Sequence, residues 1–465
     1  MTAVLHRVGV RPRARNRESM LLALCAVALT VGWLSLASQQ QGQLTLGDAS
    51  LLVAYLAMLA AVHLAFVLTG RRMDQVLLPV MGMLGGLSLL LMARLPQTLV
   101  QQTLFGMDLD LAPLQLFWLG CSLALLAGMA IFVRNDNWLR QYKYTWAAFG
   151  IFLLLLVFVF GEDTNGARLT LQVGPFAGQP SELLKIILVV FLAGYLAENR
   201  LLLARANTRI GFISIPPLPY LLPMIAMWGL ALAIVIVQSD LGAALLFFTV
   251  FLALLYVATR RFAYVALGII LFLIGAAILY EVVPHVRTRV DIWIDPYADP
   301  LGTGYQIIRG LYAFGRGGIL GTGLGAGLPQ VGGVPAIPAV HTDFVFAALA
   351  EELGMLGALA ILALYAVIAE RGLRIAATAA DDFRALLAVG LTLVIVIQAA
   401  LIAAGNLKLV PLTGITLPFV SYGGSSLLAN AIVVGLLLAL SDRGVEPPPP
   451  PRTRPRFALR AGSGA

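Results

Sequence analysis

The chain has 465 residues, of which 60% are apolar and 12% charged, and its formal net charge is +8. Because soluble globular proteins carry roughly 25% charged residues, this composition excludes a disordered chain, a coiled coil and an ordinary soluble enzyme. It indicates a polytopic membrane protein, in which the excess of Lys and Arg collects in cytoplasmic loops. No nucleic-acid partner is expected, since the basic residues are scattered between apolar runs.

Twelve apolar runs along the chain are each about 20 residues long, which is the length that a helix needs to cross a bilayer. They are centred near Leu29, Ala60, Leu84, Leu123, Leu154, Val190, Trp228, Val250, Leu271, Gly357, Val394 and Val434. Barrel strands would not give such runs, so the sequence predicts an all-α polytopic membrane protein with about 12 transmembrane helices. The predicted inside loops are basic, for example at Arg71, Arg140 and Arg371, and this places both termini in the cytoplasm.

Three outer segments, 161–181, 284–342 and 406–424, are longer than the roughly 2–8 residues that usually join helices. Long segments in compact proteins are usually functional or disordered. The second precedes the tenth predicted helix and has apolar residues at near-helical spacing, which argues against disorder. The proline- and arginine-rich tail, 442–465, cannot build a core and is predicted to be a disordered cytoplasmic extension.

Ionisable residues in or beside the predicted spans are candidates for function, because a charge at the bilayer centre costs roughly 2.5–3.5 kcal/mol. Glu182 and Lys185 lie three residues apart on one helix face. Asp240 lies in a tight outer turn, and Glu351 and Glu352 lie more than two turns inside the tenth run. Each is compatible with a structural charge pair between helices or with contact to a substrate.

Asp343 follows His341 and Thr342 where the longest outer segment enters the tenth predicted helix. Thr342 can cap this helix, which would place Asp343 in its first turn. There the helix dipole favours the ionised carboxyl, whereas burial near lipid raises its pKa, and the sequence leaves open which effect prevails. A carboxylate poised between the two is suited to act as a general base. His341 is either a hydrogen-bonded structural imidazole or a substrate contact.

Five segments, in this order, resemble the motifs of one family. They are Gly174–Phe176 with Gln179–Lys185, Gln238–Gly242, Gly304–Gln306 with Gly317–Gly321, His341–Gly354, and Thr416–Ser426. Together they resemble the SEDS family of shape, elongation, division and sporulation proteins. The sequence departs from the motifs of this family at two places. Residues 165–169 lack the second basic residue and the Trp that are often found there, and residues 338–340 lack the acidic residue that is often found there.

The resemblance implies a peptidoglycan glycosyltransferase at the outer face of the bacterial cytoplasmic membrane. Its substrate would be lipid II, the disaccharide-pentapeptide carried on undecaprenyl diphosphate, and its partner a class B penicillin-binding transpeptidase. The family-like ten-helix domain would span 75–441, after a basic cytoplasmic N-terminus (1–18) and two additional helices (19–70). Such additional helices favour a role in rod shape over one in division.

The implied chemistry inverts the donor sugar once, so that a single base suffices. Asp343 would be this catalytic base. The residues expected to contact substrate are Arg168, Glu182, Lys185, Asp240, His341, Thr342, Ser421 and Ser425. Arg168 and Lys185 would lie nearest the departing diphosphate, with Lys408 and Arg309 as weaker candidates. Ser421 and Ser425 would shape a break between helices or contact the substrate.

A bound divalent cation could share the charge of the diphosphate, although no compact carboxylate cluster with metal-ligand spacing is evident. Two other functions stay open. A flippase or transporter of the lipid-linked precursor would suit many spans with buried charges, but transporter halves usually repeat and no internal repeat is present here. A non-catalytic scaffold of a wall-synthesis complex would make no polymer.

Overall fold

The computed structural model describes residues 14–39, 46–104, 106–133, 135–164, 167–173, 176–204, 208–210, 213–215, 229, 240–327, 330–331 and 334–442. Eleven helices in these ranges are long and apolar enough to cross a membrane. They match eleven of the twelve predicted runs, and the run near Trp228 lies outside the described residues. The prediction of an all-α polytopic membrane protein is confirmed.

The helices are numbered here in chain order. The long ones are α1 (Asn16–Gln39), α2 (Leu46–Thr69), α3 (Leu77–Arg94), α4 (Leu111–Phe132), α6 (Lys143–Phe160), α7 (Pro180–Ala204), α8 (Leu241–Thr259), α9 (Phe262–Val282), α12 (Val345–Ala377), α13 (Asp382–Asn406) and α14 (Gly424–Ser441). The short ones are α5 (Asn137–Gln141), α10 (Pro284–Ile294) and α11 (Tyr305–Gly317). Helices α10 and α11 lie in the long outer segment before α12, and α11 covers the part of that segment whose apolar residues have near-helical spacing.

Small antiparallel sheets, which the sequence did not predict, occupy four of the connecting segments. Their strands are β1 (Gln102–Leu104) with β2 (Met107–Leu109), β3 (Glu162–Thr164) with β4 (Ala167–Val173) and β5 (Phe176–Gly178), β6 (Thr208–Ile210) with β7 (Ile213–Ile215), and β8 (Gln330–Val331) with β9 (Val334–Pro335). The strand order β3-β4-β5 makes the outer segment before α7 a three-stranded sheet.

The helices form a central group surrounded by more exposed ones. Of the 18 residues that form the apolar stretch of α3, 89% are buried inside the protein, whereas in α9 the share is 6%. Helix α14 packs on α4, α13 packs on α7 and α12, and α8 packs on α7 and α13. Buried polar side chains lie on this central group: Ser88 on α3, Lys185 on α7, Gln398 on α13 and Asn430 on α14.

The two N-terminal helices pack tightly on α3 through its glycines. A Cβ at Gly86 would meet the Leu29 side chain of α1, and one at Gly85 would meet the Tyr55 hydroxyl of α2. The Tyr55 hydroxyl also donates to the Gly82 carbonyl at 2.8 Å. Small residues therefore let α1 and α2 approach the backbone of α3, as is common between membrane helices.

Helix α12 is interrupted at Gly354, whose φ is +70° and ψ −172°. This conformation, which glycine adopts at little cost, frees backbone groups that pair with the glycine-rich segment 317–327. The amides of Thr322 and Gly323 donate to the carbonyls of Glu351 and Glu352 at 3.0 and 2.9 Å. The segment is therefore packed onto α12, and these two amides are taken by protein acceptors.

Candidate active site

The segment that contains Asp343 is a tight turn in front of α12. The carbonyl of Ala339, which has a φ of +51°, accepts the amides of Thr342 and Asp343 at 3.1 and 3.0 Å. The helix begins at Val345 without a side-chain cap. The expectation that Thr342 caps this helix is wrong, because its hydroxyl donates to the Ala339 carbonyl at 3.2 Å. Asp343 therefore lies in the turn and not in the first helical turn.

The outer loop between α13 and α14 holds this turn in place. The Ser421 hydroxyl donates to the Thr342 carbonyl at 2.5 Å and accepts the Leu417 amide at 2.8 Å. The Tyr422 amide donates to the His341 carbonyl at 2.8 Å. Ser421, predicted to contact substrate or to shape a break, is buried and has its hydroxyl engaged in these two bonds.

The end of α13 supplies a further tie to the same turn. The Asn406 side-chain amide donates to the Asp343 carbonyl at 2.9 Å, and its oxygen accepts the Ala347 amide at 3.3 Å. Asn406 is fully buried. It thereby bonds the backbone on both sides of the start of α12, which restricts the movement of Asp343.

Arg289 of α10 and the carboxylate of Asp343 both lie close to Gly414. A Cβ at Gly414 would lie 3.6 Å from Arg289 Nη2 and 4.0 Å from Asp343 Oδ2. Arg289 Nη1 donates to the Thr413 carbonyl at 3.1 Å, which fixes the guanidinium beside this loop. With a φ of +71°, Gly414 also adopts a conformation that residues with a Cβ rarely take.

Burial and charge set the protonation of Asp343. Burial raises the pKa of its carboxyl to about 6, and the Thr342 hydroxyl and the positive charge of Arg289 hold it from rising further. Burial lowers the pKa of the Arg289 guanidinium, which remains a cation. A carboxyl with a pKa of about 6 is largely ionised near neutral pH and can accept a proton, as a general base must.

Two buried polar atoms near this carboxyl have no hydrogen-bond partner within the described part of the chain. They are Nδ1 of His341 and Oγ1 of Thr413. Burial lowers the pKa of the His341 imidazole, so the ring is neutral near pH 7. Buried polar groups are normally bonded, so these two atoms are unsatisfied polar groups of the loops beside Asp343.

Asp240 lies beside the same loop, at the start of α8. Its carboxylate accepts the Ala243 amide at 3.0 Å and the Gln179 side-chain amide at 3.1 Å, and burial raises its pKa. Arg289 is its cationic neighbour as well as that of Asp343. Arg289 thus stands between two carboxylates, Asp240 and Asp343.

The predicted pair Glu182 and Lys185 is formed, and it belongs to a buried network. The Lys185 ammonium donates to Glu182 Oε2 at 2.5 Å, to Gln398 Oε1 at 2.9 Å and to Asn430 Oδ1 at 3.0 Å. These bonds use all three donors of a lysine. Gln398 in turn donates to the Thr416 carbonyl at 2.9 Å. The network therefore links the centre of the protein to the outer loop.

Glu351 and Glu352 are paired, as one of the two interpretations predicted. Arg94 of α3 forms an ion pair with Glu352 and also donates to the Gly327 carbonyl. Arg316 of α11 pairs with Glu351 at 3.1 Å. These charges join α3, α11 and α12 and do not lie at the Asp343 turn.

The remaining candidates are distributed around the outer face. Arg168 lies on β4, and its side chain is outside the described set. Ser425 is half-buried in the first turn of α14. The Lys408 ammonium donates to the Ile294 carbonyl at 3.2 Å, and Arg309 lies over the Tyr305 ring at 4.9 Å.

No group of three or more His, Cys, Asp and Glu side chains arranged to hold a metal ion occurs within the described ranges. The donor set around Asp343 contains the cation Arg289, which does not fit a metal site.

The FtsW/RodA/SpoVE family model, that of a cell cycle protein, matches residues 74–444. This chain belongs to that family. It is 38% identical over 449 residues to the peptidoglycan glycosyltransferase RodA of Mycobacterium tuberculosis, covering 96% of this chain and 93% of the relative. It is 37% identical to stage V sporulation protein E of Bacillus subtilis over 326 residues, covering 68% and 82%.

Solved structures agree with the FtsW/RodA/SpoVE assignment. A chain from a peptidoglycan synthase complex that coordinates polymerization and crosslinking is 26% identical, with a TM-score of 0.63, over 80% of this chain and 98% of that chain. The crystal structure of the Thermus thermophilus rod shape determining protein RodA has a TM-score of 0.53 at 23% identity, over 80% and 97%, and shows the same fold. The SEDS resemblance is confirmed, and this member of the family is a multi-pass protein of the bacterial cytoplasmic membrane.

Reasoning from the sequence missed Arg289 and the amides Gln398, Asn406 and Asn430. A signal for the amides was present, because polar residues inside apolar runs are expensive and usually functional. For Arg289 the signal was a cation in an outer segment, where the positive-inside rule disfavours one. Its role in this FtsW/RodA/SpoVE protein emerges only from the fold that brings α10 to Gly414.

Proposed function

We propose that this protein is a peptidoglycan glycosyltransferase that polymerises lipid II at the outer face of the membrane, with Asp343 as the general base. The main support is the placement, at the outer end of α12, of a carboxyl with a pKa of about 6 next to the half-buried guanidinium of Arg289. The names of the RodA relatives support the reaction class.

Asp343 removes the proton from the acceptor sugar hydroxyl as its oxygen attacks the anomeric carbon of the donor. The bond between that carbon and the diphosphate oxygen breaks, and the electron pair leaves with undecaprenyl diphosphate. The single displacement inverts the anomeric centre. We assign His341 to contact with the acceptor sugar.

Arg289 keeps Asp343 ionised until the acceptor binds, because its charge favours the carboxylate. The negative charge that develops on the diphosphate needs cations at the outer face. We assign this task to Arg168 on β4, with Lys408 as a second contributor. Lys185, Glu182, Asp240, Ser421 and Thr342 position the outer loop and the Asp343 turn, and we assign Ser425, half-buried at the start of α14, to contact with substrate. No step of this mechanism involves a metal ion.

A class B penicillin-binding transpeptidase is the partner that we propose, since it would cross-link the strands that this protein makes. The similarity to a chain from a synthase complex for polymerization and crosslinking supports such an assembly. The RodA relatives that align over nearly the full length favour a role in rod shape over one in division.

The test is lipid II polymerisation by the purified protein, with and without the transpeptidase. Asp343→Asn should lower the rate at least about 100-fold, since general bases contribute roughly 10²–10⁴. Asp108→Asn is the matched control, because Asp108 is an exposed carboxylate of the outer β1-β2 hairpin and accepts only the Thr103 hydroxyl among the described residues. Transport of labelled lipid II without polymer would favour the flippase, and no polymer under any condition would favour the scaffold.

A further inference from the structure

A cavity of about 370 Å³ opens at the cytoplasmic ends of the helices. Four arginines line it: Arg17 of α1, Arg72 in the turn before α3, and Arg371 and Arg374 near the end of α12. We call it the basic cavity. Arg374 lies roughly 40 Å along α12 from Val345, so the basic cavity and the Asp343 turn are at opposite faces of the membrane.

The acidic side chains near the basic cavity are Glu370, Asp74 and Asp442, and the last of these accepts the Arg72 backbone amide at 3.0 Å and pairs with Arg71. Arg371 pairs with Glu370 at 2.9 Å and with Asp74 at 3.7 Å, and Arg374 pairs with Glu370. The side chains of Arg17 and Arg72 form no ion pair with the described residues. Within the described residues, the positive charges of Arg17 and Arg72 are therefore left without an acidic partner in a concave site.

The positive-inside rule alone does not explain this arrangement. That rule places Lys and Arg in cytoplasmic loops, but it does not bring arginines from three separate parts of the chain around one cavity. Guanidinium groups also present paired donors that match the oxygens of a phosphate. The cavity volume is within the roughly 300–1,000 Å³ of small-molecule sites.

The surroundings of the basic cavity are apolar on one side. Met73 and Ile375 line its wall. Close by in the chain, Met20 and Leu24 of α1 and Leu373 of α12 are 66%, 55% and 49% exposed, as expected of side chains that face lipid. A ligand with a charged head and acyl chains would satisfy both parts of this surface.

We propose that the basic cavity binds the phosphate-bearing headgroup of an anionic phospholipid of the inner leaflet. Arg17 and Arg72 supply the charge that the described residues leave unpaired, and the acyl chains lie against α1 and the end of α12. Basic sites between helices on the cytoplasmic side are suited to anionic headgroups. The site is independent of the proposed polymerisation at the outer face.

The experiment measures thermal unfolding of the purified full-length protein in a neutral detergent. Dioctanoyl phosphatidylglycerol, dioctanoyl phosphatidylcholine and inorganic phosphate are titrated separately. Phosphatidylglycerol should raise the melting temperature at lower concentration than either of the others. Arg17→Gln/Arg72→Gln should weaken its apparent affinity about tenfold or more, since each arginine near anionic lipid contributes to binding.

Arg260→Gln is the matched control, because Arg260 is an exposed cytoplasmic arginine between α8 and α9, outside the basic cavity. It should leave the effect of phosphatidylglycerol unchanged. The single variants Arg17→Gln and Arg72→Gln give a second measurement if the double variant does not fold, and each should weaken binding. Equal effects of phosphatidylcholine or of free phosphate, or an undiminished effect in the Arg17 and Arg72 variants, would overturn the proposal.

Discussion

Arg289 and Asp343 both lie against Gly414, with Arg289 Nη2 at 3.6 Å and Asp343 Oδ2 at 4.0 Å from the position of its absent Cβ. Burial raises the pKa of the Asp343 carboxyl, and the guanidinium opposes that rise. The pH range in which the carboxylate can act as a base is therefore set by burial and by the charge of Arg289 together.

The first prediction concerns pH. Because the active form is the ionised carboxylate, polymerisation should decline as the pH falls through about 6, with the slope of one proton. Removing the cation raises the pKa of Asp343 further, so Arg289→Gln should shift this acidic limb to higher pH. The check is the pH dependence of kcat/KM for lipid II.

Arg289→Lys is the control for that shift, because it keeps a positive charge although it loses the paired donors. Its acidic limb should stay closer to that of the unchanged protein. If Arg289→Gln lowers activity equally at every pH, Arg289 does not act through the ionisation of Asp343.

The second prediction concerns Gly414. Its φ of +71° makes Gly414→Ala unfavourable by about 1–2 kcal/mol, and because the added methyl group contacts both Arg289 and Asp343, relaxation of the strained backbone would shift these two groups. Polymerisation should therefore fall by more than the loss of stability explains. Gly106→Ala shares a positive φ of +78° but has nothing within 4 Å of its Cβ. Equal activity losses in the two variants would contradict a specific role for Gly414.

Much of the fold could be predicted from the sequence because lipid imposes long apolar runs that alternate with basic loops. The small outer sheets were not predicted, since strands as short as β3 and β5 give no recognisable periodicity. The break at Gly354 was also not predicted. It depends on the approach of the segment 317–327, whose backbone replaces the lost helical bonds.

The candidate site was predicted less completely. Asp343 stood out because a carboxylate beside a span is costly. Arg289 did not, since it is distant from Asp343 in sequence and the two approach only when α10 packs against the loop at Thr413. The capping role of Thr342 was predicted wrongly, because the rule for helix caps considers only neighbouring residues in the sequence. In the structure Ala339 has a positive φ, and its carbonyl accepts the Thr342 hydroxyl.

The third prediction concerns Ser421 as a positioning residue. Ser421→Ala removes the bond to the Thr342 carbonyl and leaves the buried Leu417 amide unpaired, which costs roughly 1–3 kcal/mol. Because the Asp343 turn is held by this bond, kcat should fall while KM for lipid II changes little. Steady-state kinetics and thermal unfolding check this.

Ser122→Ala is the control, because Ser122 is also buried but bonds only within α4 through the Leu119 carbonyl. A rise in KM without a change in kcat would instead make Ser421 a substrate contact.

The last prediction separates structure from chemistry at Lys185. Its ammonium is buried and has three protein acceptors, Glu182, Gln398 and Asn430. Lys185→Met should lower stability by about 3–5 kcal/mol, because it leaves the charge of Glu182 without its partner. Glu182→Gln/Lys185→Met removes both charges and should recover most of the stability and the polymerisation rate to within about tenfold. A folded double variant with weakened lipid II binding would instead show that Lys185 contacts the diphosphate. In that variant Glu182 no longer carries an unpaired charge, so a remaining loss of binding must come from the missing ammonium of Lys185.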